Sequence, residues 1–306
     1  MRKRQAPSLA TTVGDLALVS AVMTASGPAG HADELAAYGP LDLLGAVVVK
    51  SLSAEPWPGN PAPRLRPTEA GMLNSVGLQG PGIESWLEHD LPRLAATGAT
   101  VVVSIWGRSV EDYARAGMML AEAPIDAIEV NVSCPNLEDR SRMFAHSVTA
   151  TAEAVDAVGS THRRWVKLSP NTSELVDIAA GAVGAGADAL VLINTVLGMA
   201  IDLDARAVAL GGRGGGLSGP GIHPVAVRAV FECAQALTGT PLVGVGGVSR
   251  GTDAIELLMA GASAVQVGTA TLAEPRAPWR IMREMSRWMA EHAVASVSEL
   301  VGAAHA

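Results

Sequence analysis

Only two cysteines, Cys134 and Cys233, occur in 306 residues, which leaves no disulfide framework and no Cys-rich metal cluster within the chain. A reducing, cytosolic compartment is the natural reading. Aromatic residues make up 3%, too few for the stacking platforms that hold single-stranded nucleic acid. Positive charge is also scarce. The net charge of −8 argues against a nucleic-acid partner or an anionic membrane surface. No apolar stretch reaches the length of a membrane span. No cluster of His, Asp and Glu suggests a metal site.

The start of the chain loosely resembles a signal peptide, with basic Met1-Arg-Lys-Arg4 ahead of fairly apolar Leu16 to Ala25. Asp15 interrupts that pattern, and no small-residue cleavage site follows. Leu16 to Ala25 is expected to enter the fold as a strand and its following turn. Residues 1–14 are expected to form a poorly ordered N-terminal extension.

Glycine is plentiful, with 33 residues, and 49% of the chain is hydrophobic against 17% charged. Such a chain can bury a full core, and many tight turns or close backbone contacts with a ligand are expected. No composition break marks a second domain, so residues 1–306 read as one. Eight short apolar runs have strand character: 46–50, 73–76, 101–105, 128–132, 165–168, 189–193, 242–245 and 264–267. Amphipathic stretches lie between most of them, at 84–96, 110–121, 148–158, 174–185, 224–236 and 252–260. Eight β–α units predict an α/β fold, a closed (β/α)8 TIM barrel with insertions over its C-terminal mouth. An open doubly wound sheet is the alternative, weakened by the lack of a dinucleotide fingerprint near the N-terminus. The Gly-rich segment 206–219 falls between the sixth and seventh runs and is expected to cross the barrel mouth, its Leu-Ser-Gly-Pro end favouring an ordered turn.

Polar residues gather at the C-terminal ends of these runs, where barrel active sites lie. Lys50 ends the first run and Asn74 lies in the second. Lys167 sits inside Trp-Val-Lys-Leu, and Asn194 and Thr195 close the sixth run. An approach to solvent explains one or two polar ends, but not Lys167 or Asn194 within apolar surroundings. The seventh and eighth runs end in Gly246-Gly247 and Gly268-Thr269, each ahead of a helix. Each glycine pair alone is ordinary turn chemistry. Together they favour a phosphorylated ligand, because loops after strands seven and eight of barrels often hold a phosphate.

The most unusual end is Asn131-Val-Ser-Cys-Pro-Asn136, after the apolar run 126–130. Pro135 forbids regular pairing there. A free Cys alone is usually a small buried hydrophobe, the reading kept for Cys233 in Val-Phe-Glu-Cys-Ala. Asn131 and Asn136 reverse that expectation for Cys134. A thiol beside two carboxamides suits a planar ligand with alternating N–H and C=O groups held next to a base. His223, ahead of Pro224, reads as a cap or surface residue.

The motifs Asn131–Asn136, Asn74-Ser-Val-Gly-Leu78, Val166-Lys-Leu-Ser-Pro170, Ile193-Asn-Thr195 and the two glycine loops resemble dihydroorotate dehydrogenase, in order over roughly residues 15–305. Cys134 at the base position resembles class 1, and Asn74–Gln79 with Ile193–Gly198 looks most like class 1B. The resemblance implies FMN over the barrel mouth, its phosphate on Gly246, Gly247, Gly268 and Thr269. It places Ser26, Lys50, Ser51, Ser104, Asn131, Ile193 and Gly219 at FMN-contact positions. Ser104 departs from the family's usual Asn, and Trp106 beside it is also unusual. Lys167 would stabilise negative charge on the reduced flavin. Lys50, Asn74, Ser75, Val76, Gly77, Leu78, Asn131, Asn136, Asn194 and Thr195 would hold dihydroorotate, and Cys134 would remove its C5 proton. A separate FAD and iron–sulfur subunit, in a homodimer or heterotetramer, is the implied partner. A related flavin barrel acting on another dihydropyrimidine, and a non-catalytic phosphate-ligand-binding barrel, remain as alternatives.

Overall fold

Eight short runs of β-branched and small apolar residues form one parallel sheet, wound as a barrel. A computed structural model describes residues 6–133, 144–212 and 214–306. The strands are β1 (Val22–Thr24), β2 (Val47–Val48), β3 (Val101–Ile105), β4 (Ala127–Asn131), β5 (Arg163–Leu168), β6 (Ala189–Leu192), β7 (Leu242–Val245) and β8 (Ala264–Val267). Each pairs in parallel with the next from β2 to β8, and β8 pairs in parallel with β1. The seam between β1 and β2 is closed by a few bonds. Gly45 N–H donates to Val22 O at 2.8 Å and Thr24 N–H to Ala46 O at 3.2 Å. The buried Thr24 hydroxyl accepts from Val48 N–H at 2.8 Å. Thr24→Val keeps the shape and orphans that N–H. We expect a loss of about 1–3 kcal/mol in denaturant unfolding; unchanged stability would show the seam needs no hydroxyl.

Strand residues alternate between two cores. Outward side chains such as Val103, Leu190 and Val265 pack with the helices. Inward ones such as Met23, Val102, Trp165 and Val243 fill the barrel. The connecting helices are α1 (Leu91–Ala95), α2 (Val110–Leu120), α3 (Val148–Ala157), α4 (Leu175–Gly184), α5 (His223–Ala236), α6 (Gly251–Met259) and α7 (Ala277–Glu291). Ser109 and Ser147 start α2 and α3 by accepting the N–H groups of Asp112 and Ala150. The helix expected at 84–96 is broken. Ile83–Ser85 leads into a π-helical turn, Trp86–Asp90, before α1. Pro92 has no N–H to continue a regular ladder there.

Two sequence expectations need correction. Residues 73–76 are not a barrel strand. Gly71–Asn74 belongs to a four-stranded antiparallel sheet with Leu65–Thr68, Gly215–Ser218 and Val196–Gly198. Its burial is one-sided, with Leu73 buried and its neighbours half-buried, whereas a barrel strand is covered on both faces. The missing strand is β1, buried throughout but only three residues long. Lys50 therefore follows the second strand, not the first. Residues 11–14 are also not loose. Thr11–Val13 forms a hairpin with Leu16–Leu18, and Val13, Leu16 and Leu18 join the inner barrel core. Asp15 at its turn makes a two-pronged pair with Arg163 at the start of β5. The hairpin thus closes the N-terminal end of the barrel. The Gly-rich segment 206–219 does cross the other end, through Gly215–Ser218.

Candidate active site

The strand ends and the antiparallel sheet enclose one cavity of about 910 Å3 at the C-terminal mouth. That is the size of a cofactor site. Its walls bring together Ser26, Lys50, Ser51, Asn131 and Lys167 from the barrel side. Asn74, Val76, Gly77, Leu78 and Gly219 face it from the overlying sheet and its loops. Ile193, Asn194 and Thr195 close a third side, and Gly246, Gly247, Gly268 and Thr269 form the far end. Two expected residues lie behind the wall. Ser75 is fully buried, bonded through its hydroxyl to Asn60 Nδ2 at 2.9 Å. Ser104 is also buried, and its hydroxyl meets that of Ser51 at 2.8 Å. Ser104 thus supports a wall residue. Trp106 likewise turns away, edge-on to Trp57 at 5.6 Å. Cys134 and Asn136 lie outside the described residues.

Asn131 organises the centre of the site. Its Oδ1 accepts from the Ser133 hydroxyl at 2.9 Å, from Ser133 N–H at 3.2 Å and from Asn194 Nδ2 at 3.3 Å. Its Nδ2 donates to Ser51 at 3.3 Å. Asn194 Nδ2 also donates to the Ser133 hydroxyl at 2.7 Å, and Asn194 Oδ1 accepts from Thr195 N–H at 2.8 Å. These bonds fix which edge of each carboxamide is which. Thr195 lies directly under the overlying sheet. A β-carbon at Gly216 would stand 2.0 Å from Thr195 Oγ1, so only glycine lets the sheet approach this closely.

The far end is built for backbone contact. Gly246 and Gly247 have φ of 139° and 70°, and β-carbons there would meet Ala226 at 2.7 Å and His223 at 2.6 Å. His223 is more than a cap. Its ring joins the Gly246 carbonyl at 2.9 Å to Glu256 at 3.1 Å, pinning the glycine turn. The Thr269 hydroxyl donates to Ser218 at 2.7 Å, tying the last loop to the overlying sheet.

Two lysines supply positive charge. Burial, with Arg64 nearby, pushes the Lys50 ammonium down to about 8. It donates to the Gln79 carbonyl. Lys167 at the floor donates to Ser26 at 3.1 Å and to Gln266 Oε1 at 3.4 Å, with Glu129 Oε1 at 3.6 Å. The sequence reading missed Glu129 and Gln266. The signal was there: Glu129 breaks an apolar run two residues before Asn131, on the same strand face, and Gln266 does so in Ala-Val-Gln-Val. Cys233 keeps its packing role, buried in α5 with its thiol pushed up to about 12 by burial and then Glu232. Among the described residues no His, Cys, Asp and Glu group could hold a metal, and no helix is long and apolar enough to cross a membrane.

The chain has clear relatives. A family model described as "Dihydroorotate dehydrogenase" matches residues 8–289. The chain is 45% identical over 300 residues to "Dihydroorotate dehydrogenase B (NAD(+)), catalytic subunit" of Pelobacter propionicus, covering 97% of this chain and 98% of that protein. Proteins of the same description from Citrifermentans bemidjiense and Geobacter sulfurreducens are 44% and 42% identical over 302 residues, each covering 98% of this chain and 99% of the relative.

Proposed function

The chain belongs to the dihydroorotate dehydrogenase family, and we propose from that premise that it is a class 1B catalytic subunit, oxidising dihydroorotate to orotate in pyrimidine biosynthesis. One observation carries the reading. Lys50, Asn131, Asn194 and Lys167 converge on a single cavity that ends in two glycine loops. The dihydropyrimidine and non-catalytic alternatives have no comparable observation in their favour.

FMN is the cofactor these residues fit. The bare backbone at Gly246–Gly247 and Gly268–Thr269 suits a phosphate, and Lys167 offers a cation at the floor for the ring. We read the whole chain as one domain built around it. Asn131 and Asn194 are ready to bind an alternating donor and acceptor edge, because their own bonds hold both amides in place. Lys50 draws the substrate carboxylate. The Cys134 thiolate takes the C5 proton, while bound FMN supplies the two-electron acceptor for the C6 hydride. The relatives' description as a catalytic subunit supports a second subunit, which we assign as the carrier of FAD and an iron–sulfur cluster, since Cys134 and Cys233 are too few to hold a cluster.

The test is direct. The purified chain with FMN should show a bound-flavin spectrum and oxidise dihydroorotate with an artificial acceptor. It should reduce NAD+ only when the second subunit is added. A colourless protein after FMN addition, or turnover of dihydrouracil alone, would overturn the reading; efficient use of fumarate would remove class 1B.

Lys50 gives a pH signature. Its ammonium is charged below about 8 and neutral above. Orotate should therefore bind the oxidised enzyme with a constant Kd at pH 6–7. The Kd should weaken by about tenfold per pH unit once well above that value. Titration of the flavin absorbance measures this. A Kd flat to pH 10 would show that the Lys50 charge is not used.

A further inference from the structure

Glu129 is a carboxylate with no solvent exposure, inside the barrel and below the cavity wall. Burying such a group is costly unless charge and hydrogen bonds compensate it. Its Oε2 accepts from Gln266 Nε2 at 2.7 Å. Its Oε1 has no hydrogen bond and lies 3.6 Å from the Lys167 ammonium. Gln266, also fully buried, turns its own Oε1 to Lys167 at 3.4 Å. The three side chains thus form a closed triangle. The opposite amide orientation would set oxygen against oxygen at Glu129, so the triangle has one sense. Only Lys167 of the three reaches the cavity. Nothing in proton removal or pyrimidine binding uses the other two.

We propose that Glu129, held by Gln266, is a positioning and charge-setting residue for Lys167, and through it fixes the reduction potential of the bound flavin. The inference rests on the FMN reading above. A lysine on a four-carbon stem has many conformers. The triangle leaves it one, with the ammonium at the floor and one donor directed to Ser26 at the cavity edge. The negative charge of Glu129 also offsets the positive charge that Lys167 presents. In a water-poor interior that offset is weakly screened. A reduced flavin carries added negative charge, so Glu129 holds the potential lower than Lys167 alone would set it.

The test is the midpoint potential of bound FMN, measured by equilibration with a reference dye. In Glu129→Gln the potential should rise. The ratio of reduced to oxidised flavin at a fixed applied potential should grow by about tenfold, about 30 mV for a two-electron couple. Glu129→Asp, which keeps the charge, should stay near the wild type. An unchanged or lower potential in Glu129→Gln overturns the inference. If that variant does not fold, the neutral pair decides: Glu129→Gln with Lys167→Met should match Lys167→Met alone, because Glu129 acts through Lys167, and a difference in potential between the two overturns the proposal. A wild-type chain that takes up no FMN sinks the cofactor reading and this inference together. Bound flavin with a potential insensitive to Glu129 sinks this inference alone.

Discussion

Replacing Cys134 with alanine is expected to lower dihydroorotate turnover by about 10²–10⁴-fold, the range a positioned general base supplies, while FMN stays bound. The expectation rests on the order of groups along one strand end. Asn131 and Ser133 precede Cys134 in sequence, and both are locked into the network with Asn194. The residues proposed to hold the ligand and the group proposed to deprotonate it therefore share one short segment of sequence. The FMN contacts proposed on the glycine loops and Lys167 lie elsewhere, and of the FMN-contact positions the resemblance implies, Asn131 alone shares that segment. Alanine should thus separate chemistry from cofactor binding. Cys134→Ser tests the same point by acidity: a hydroxyl is a far weaker acid than a thiol at about 8.5. Turnover in the serine variant should survive best at alkaline pH. Stopped-flow reduction of the flavin by dihydroorotate measures the step. A wild-type rate in Cys134→Ala would remove this thiol as the base.

Asn131→Ala is expected to cost about 2–4 kcal/mol in kcat/KM, about 30- to 1000-fold. Its side chain is almost fully buried and makes four bonds, to Ser51, twice to Ser133 and to Asn194. Truncation leaves Ser133 and the Asn194 amide without their shared acceptor. Both would then be free to turn away from the pyrimidine edge. The loss should appear in KM and in kcat together if, as proposed, the amides orient the substrate as well as hold it. Asn131→Asp keeps the acceptor oxygen and should retain the bonds from Ser133 and Asn194. It should recover part of the loss, unless its charge repels the substrate carboxylate. Steady-state kinetics on both variants, with flavin content checked by absorbance, distinguish these cases. An alanine variant within threefold of the wild type would show that the network is only structural.

Much of this architecture was legible in the sequence because the parallel strands are buried on both faces and read as plain apolar runs. Seven of the eight runs are barrel strands, and the Gly-rich crossing of the mouth is where the pattern put it. The eighth failed for a physical reason. Gly71–Asn74 has enough apolar character to resemble a core strand, yet only one side is covered. Val22–Thr24 lies within Leu16 to Ala25, where a strand is expected, but its three residues are too few to count among the eight runs. The site was legible where polar residues interrupt strand ends, as at Asn131, Lys167 and Asn194. Ser75 and Ser104 could not be placed this way, since which side of a wall a small hydroxyl takes depends on loop packing. Glu129 and Gln266 were overlooked because each was absorbed into an otherwise apolar run, although Gln266 stands one residue from the end of β8 as Lys167 does in β5. The readings of Cys134 and Asn136 rest on the motif and on the family.

The hairpin at Thr11–Leu18 fills the far end of the barrel with Val13, Leu16 and Leu18. The consequence is one of traffic. With the barrel interior packed and its N-terminal end capped, the site opens, among the described residues, at the C-terminal mouth, so the oxidised pyrimidine leaves by the mouth its precursor entered. Dihydroorotate and orotate then contend for the same vestibule, and orotate should act as a competitive product inhibitor against dihydroorotate. Each turnover becomes a two-stroke cycle in which the doorway must clear before the next molecule loads.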